Sequence, residues 1–239
     1  MRLLVTRPIS DAMPLSEALA AQGHDVLISP MVHIEPTETP LPPSDKFAAL
    51  ALTSANGVRA LQARLPMAGD AAIWRTKPAF AVGPQTAAAL AAMDWPHVLT
   101  AKGDVDSLAQ LIGEHQPASV MHIAGSHLAG DLAGQLAAQN IAYEKAVLYA
   151  ARAAEGFTPA SAMALCDQAE PVEAVLLYSQ RSARLFCDLF AALEDAVRPH
   201  ALCLSYAIAE LMRAEGFDTQ VAARADMAAM LELTAERPQ

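Results

Sequence analysis

Short apolar runs alternate with Ala- and Leu-rich helical stretches along the whole chain, and nothing else in the sequence limits its fold as much. Such alternation marks βαβ units laid around a parallel sheet. The apolar runs predict strands over residues 3–6, 25–28, 49–53, 79–82, 97–99, 120–124, 142–149, 174–178, 201–204 and 219–222. Between them the periodicity predicts helices over 14–22, 56–65, 84–93, 107–115, 128–139, 181–193 and 207–215. This set suits two sheets of about five strands each. Gly23, Asn140 and Gly216 stand just past three of the helices, where a left-handed residue closes the last turn.

The chain also resembles itself. Leu52 to Leu61 align without gaps onto Leu177 to Phe186, which pairs Ser54 with Ser179. Ala79 to Gly83 match Ala201 to Ser205, Lys102 then pairs with Arg224, and Asp104 pairs with Asp226. A second repeat pairs Leu19 to Gln22 with Leu136 to Gln139, so the order reads A, B, A′, B′. Two wirings fit that order. Either A joins B and A′ joins B′ in series, or the chain crosses twice and A packs with B′ while B packs with A′. Residues 32–43, with Pro36, Pro40, Pro42 and Pro43, and residues 150–159, polar with Gly156 and Pro159, read as extended linkers.

Charge and composition exclude several functions. With 16 Lys+Arg against 26 Asp+Glu the net charge is −10, so a general nucleic-acid binder is not expected. Although 54% of residues are hydrophobic, no stretch approaches the roughly 20 unbroken apolar residues that cross a bilayer. The start of the chain, where Thr6, Arg7 and Pro8 follow directly on Leu3 to Val5, is no export signal, and a cytoplasmic protein is expected. Cys166, Cys187 and Cys203 lack metal-ligand spacing and read as reduced core thiols. The 7 histidines never stand at ligand spacing with Cys or a carboxylate, so no metal site is expected.

In open parallel sheets ligands bind at the carboxyl ends of strands, where helix N-termini present unpaired N–H groups. The residues there are 6–8, 53–57, 83–86, 125–127, 179–182 and 205–207, mostly small hydroxyl, amide or Gly residues. They serve as helix caps, and they also let main-chain donors approach an anion. No Gly-x-Gly-x-x-Gly follows the first strand, and no phosphate-cradling Gly-Lys loop or nucleophile elbow occurs. Chemistry that relies on positioning rather than on a reactive side chain is implied. Arg7 and Arg181 are placed to face an anionic ligand, Arg59 and Arg184 read as solvated, and His127 stands at a strand end as a loop histidine.

Leu-Val-Thr-Arg-Pro at 4–8, Leu-Thr-Ser-Ala-Asn-Gly-Val at 52–58, Ala-Val-Gly-Pro-Gln-Thr-Ala at 81–87, Tyr149, and Leu-Tyr-Ser at 177–179 resemble the uroporphyrinogen-III synthase family. The order and spacing match over nearly the whole chain. The resemblance implies the crossed wiring: two flavodoxin-like parallel-sheet domains joined by a two-stranded linker, with the substrate cleft between them. One domain would hold residues 1–33 plus 156–239 and the other 37–148, with linkers about 34–36 and 149–155.

It also implies the reaction. Hydroxymethylbilane, a linear tetrapyrrole with eight carboxylates, loses water and closes into uroporphyrinogen III with its last ring inverted, through a spiro intermediate and with no cofactor. Tyr149 would help the hydroxyl depart. Arg7, Thr53, Ser54, Asn56, Gly83, Thr86, Ser179, Gln180 and Arg181 would hold the substrate, and a monomer would suffice. Two departures stand out: Ile208 occupies the place of a family threonine, and Ala129 that of a family arginine. They leave two other readings open, a family member that binds tetrapyrrole without turnover and a non-catalytic two-domain protein that binds a small anion.

Overall fold

The computed structural model describes residues 1–127 and 130–235. In chain order the first segment holds β1 (Arg2–Val5), α1 (Ile9–Ala21), β2 (Asp25–Ile28) and β3 (Val32–Pro36). The second holds β4 (Ala49–Leu52), α2 (Ala55–Arg64), α3 (Ala71–Trp74), β5 (Ala79–Ala81), α4 (Pro84–Ala91), β6 (Val98–Thr100) and α5 (Val105–His115). The third holds β7 (Ser119–Gly125), α6 (Leu132–Ala137) and β8 (Ala142–Ala153). The last holds α7 (Pro159–Leu165), β9 (Ala174–Leu177), α8 (Gln180–Ala191), β10 (His200–Cys203), α9 (Tyr206–Ala214), β11 (Thr219–Val221) and α10 (Met227–Ala235). The chain is a mixed α/β fold that divides into two compact units, 1–33 with 152–239, and 34–151.

In the first unit the strands lie in the order β11-β10-β9-β1-β2, all parallel. Counted along the chain this is the 2-1-3-4-5 order of a doubly wound sheet. Alternate residues feed opposite faces. Leu4, Val175, Leu177 and Cys203 pack with Phe186, Phe190 and Phe217 on one side, and Leu3, Val5, Leu176 and Leu202 pack with Leu15, Leu19 and Met230 on the other. Both faces are covered, which is why these strands read as unbroken apolar runs.

In the second unit the order is β3-β8-β7-β4-β5-β6. Apart from β3 it repeats the first unit's order, with β7 and β8 in the places of β1 and β2. The sheet is therefore a circular permutation of the first. Leu50, Leu52 and Ile123 pack with Val58, Leu61 and Leu90 on one face, and Ala49, Ala51 and Phe80 with Leu108, Ile112 and Leu136 on the other.

Gly23, Asn140 and Gly216 all have positive φ, at 84°, 58° and 79°, and close their helices in the left-handed form. Other expectations need correction. Helix α1 starts at Ile9 rather than at residue 14, and carries Pro14 inside it. It forgoes the one N–H that proline lacks. Residues 32–36, expected as linker, form β3, whose Thr37 N–H donates to Leu148 O; the Ala154 N–H donates to Met31 O, so β3 and β8 run antiparallel. Pro36 is tolerated because it ends an edge strand. Strand β8 runs on through Tyr149 to Ala153, four residues beyond the strand end expected at 149. Helices α3, α7 and α10 were not expected. The helix expected over 128–139 is helical over Leu132–Ala137, and Leu128 and Ala129, with the departure noted at 129, lie outside the described residues.

Candidate active site

In the second unit the chain leaves β4 toward β5 and leaves β7 toward β8, so the carboxyl ends of β4 and β7 frame the point where strand order reverses. Ser54, directly after β4, caps α2. Its Oγ accepts the Gly57 N–H at 3.0 Å and lies 2.7 Å from the Tyr149 Oη. The ring of Tyr149 crosses from β8 over Gly125, the last residue of β7, so closely that a Cβ on Gly125 would stand 2.6 Å from the Tyr149 Cζ. Only glycine lets the phenol reach Ser54. The Ser126 N–H donates to the Tyr149 carbonyl at 3.0 Å and holds the backbone on the same register.

A cavity of about 540 Å3 opens on this pair, with Thr53, Gly103, Asp104, Asp106 and His127 on its walls. A donor-rich wall was expected, and two carboxylates stand there as well. Asp104 caps α5, accepting the Ser107 N–H at 2.7 Å, and that bond holds its carboxyl below the usual range. His127 is exposed, with Nδ1 3.1 Å from the Ser126 Oγ.

Behind Thr53 lies a second cavity of about 420 Å3, lined by Thr53, His122, Asp131, Tyr143 and Lys145 among others. His122 is buried on β7 with both ring nitrogens bonded: Nε2 lies 3.0 Å from Thr53 Oγ1, and Nδ1 lies 2.8 Å from Tyr143 Oη. Burial, with the nearby Lys145 charge, pushes its pKa down to about 4. Burial and the Asp131 charge push the Tyr143 phenol up.

The other expected residues are placed as follows. Asn56, in the first turn of α2, accepts through Oδ1 from Arg59 at 2.7 Å. Gly83 caps α4 with extended backbone, and a Cβ there would meet the Gly103 Cα at 3.1 Å. Thr86 is buried in α4 and is not one of the side chains lining the cavity around Tyr149.

In the first unit, Arg7 donates to Asp11 at 2.8 Å and lies over the Tyr178 ring at 4.6 Å, so its charge is already compensated. Ser179 caps α8 by accepting the Ser182 N–H at 3.1 Å, as Ser54 does in the other unit. Gln180 and Arg181 sit exposed in the first turn of α8. Ile208 is buried in α9. All three cysteines are free, and burial pushes the Cys187 thiol up to about 11 and that of Cys203 to about 12, which keeps both protonated.

Sequence reasoning placed Gly125 at a strand end without foreseeing that it makes room for Tyr149, and it missed His122. A glycine directly before the small residues of a strand end carried the signal for the first. The second sits inside an apolar strand, where the sequence offers no sign of which side chains flank it.

Residues 13–232 match the family model described as uroporphyrinogen-III synthase HemD. No curated protein sequence matches the chain. Among solved structures, the uroporphyrinogen-III synthetase of Helicobacter pylori is similar at 21% identity and a TM-score of 0.68, covering 98% of this chain and 99% of that one. A mutant uroporphyrinogen III synthase of Thermus thermophilus is similar at 15% identity and a TM-score of 0.54, over 98% and 97%. At these identities the structural likeness speaks for the fold, and the family model for the family.

Proposed function

The chain belongs to the uroporphyrinogen-III synthase HemD family, and on that premise we propose that the Ser54–Tyr149 pair drives loss of the hydroxyl from hydroxymethylbilane. The enzyme cyclises this linear tetrapyrrole, with loss of water, to uroporphyrinogen III with its last ring inverted.

The single observation that carries the reading is the hydrogen-bonded chain from Gly57 N–H to Ser54 Oγ to Tyr149 Oη. A serine hydroxyl has one proton and two acceptor lone pairs. With the Gly57 N–H in one lone pair, Ser54 turns its own proton to the tyrosine oxygen, and the Tyr149 proton is then free to go to the departing hydroxyl. As water leaves, the phenolate stays bonded to Ser54 at the positive N-terminal end of α2. The carbon left behind gains positive charge, which the Asp104 and Asp106 carboxylates on the cavity wall favour.

The substrate's own carboxylates are held by other groups. We assign them to the strand-end donors of both units: Thr53, Asn56 and the backbone about Gly83 in one, with Thr86 behind them, and Arg7, Ser179, Gln180 and Arg181 in the other. A guanidinium offers five donors, so the bond from Arg7 to Asp11 leaves others for substrate. In each unit these donors stand at the carboxyl ends of parallel strands, where helix N-termini favour an anionic group. One chain carries every group invoked, so a monomer suffices.

Tyr149→Phe tests the reading. Removing a general acid costs about 10²-fold or more in kcat, while the dissociation constant for uroporphyrinogen III stays within a few-fold. Equal losses in turnover and binding would mean that Tyr149 only packs.

A further inference from the structure

His122 is 2% exposed, in the middle of β7, and its two bonds run to uncharged hydroxyls on opposite sides. A neutral imidazole has one donor and one acceptor, so one neighbour must give a proton to the ring and the other must take one from it. A phenol is the stronger acid of the two hydroxyls and the better donor, whereas an aliphatic hydroxyl is the better acceptor. The distances agree with that assignment. Tyr143 Oη to Nδ1, at 2.8 Å, has the length of a bond from an O–H donor, and Nε2 to Thr53 Oγ1, at 3.0 Å, that of an N–H···O bond. Thr53 also lines both cavities, the one behind it and the one that holds Tyr149.

We propose that His122 is a positioning residue for substrate binding: Tyr143 holds it as the Nε2–H tautomer, it donates to Thr53 Oγ1, and the Thr53 proton is thereby left to give to a substrate carboxylate. The opposite tautomer would spend the Thr53 proton on the ring and leave only lone pairs facing the cavity, which repel a carboxylate. Tyr143 and Thr53 bond to opposite nitrogens of one ring, so the tautomer is what links them. The inference rests on the reading of the Tyr149 cavity as the substrate site.

Two measurements on the full-length protein decide it. The first is nitrogen NMR of protein labelled with 15N-histidine, with the His122 signals assigned by their loss in His122→Gln. A proton on Nε2 and none on Nδ1 is expected, and the reverse overturns the proposal whatever the enzyme does. The second is a kinetic cycle on hydroxymethylbilane. Loss of a hydrogen bond to a charged group costs about tenfold, so Thr53→Val raises KM by about that factor with kcat nearly unchanged. Tyr143→Phe, which keeps the ring in place, raises KM about threefold to tenfold, and adding it to Thr53→Val raises KM no further. Independent, multiplying effects overturn the proposal, as does an unchanged KM in Tyr143→Phe. Absence of type III product from the wild-type protein would instead overturn the enzymatic reading on which the inference rests.

Discussion

Two residues carry unusual constraints, and both come from neighbours rather than from their own chemistry. Tyr149 reaches Ser54 because Gly125 has no side chain. His122 stays neutral because it is buried where a charge cannot be hydrated. That burial has a measurable consequence. With its pKa lowered from 6.5 to about 4, His122 takes up a proton in the unfolded chain but not in the native one between those values. Stability is therefore fully present above pH 6.5 and falls as the pH drops toward 4, by about 3 kcal/mol in all. Urea denaturation of His122→Gln across that range should show a total loss of stability smaller than that of the wild type by this amount, and equal losses would contradict the assignment. The strand-end hydroxyls were legible in the sequence because small capping residues at those places have a local cause. The relay through His122 was not, since it depends on which strands lie side by side.

At the scale of elements, the caps matter most. Ser54 and Ser179 occupy equivalent positions after β4 and β9 and accept equivalent N–H groups, from Gly57 and Ser182. Ser179→Ala should lower stability by about 1 kcal/mol, while Ser179→Asp, which still caps, should lower it less. The shift in denaturation midpoint measures both, and equal losses would show that the hydroxyl does not cap. In the other unit the same serine does more, because its remaining hydrogen bond goes to Tyr149. Capping is written into local sequence, which is why these junctions could be read before the fold was known. Three of the misread elements, α1, β3 and β8, involve backbone that tertiary contacts support. The helix expected from residue 14 starts at Ile9 with Pro14 inside it, the Pro-rich stretch read as extended linker begins with β3, and β8 continues into the polar stretch after Tyr149. Local propensity favoured a break at each place, and packing or strand pairing outweighed it.

Over the whole molecule, the duplicated order of strands and helices is the dominant feature. Self-comparison established two similar halves and left two wirings open, because periodicity carries no information about which strands pair. The pairing of β1 with β9 and of β4 with β7 builds each sheet from segments distant in sequence. Each sheet then reverses its strand order at one point, and in the second unit that point holds Ser54, Gly125 and Tyr149. The most direct test of the account supplies the wild-type protein with hydroxymethylbilane generated in place and separates the oxidised products into ring isomers. The account predicts predominantly the type III isomer, above what spontaneous closure yields. Type I alone would contradict it, and would mean that the chain has the family's fold without its reaction.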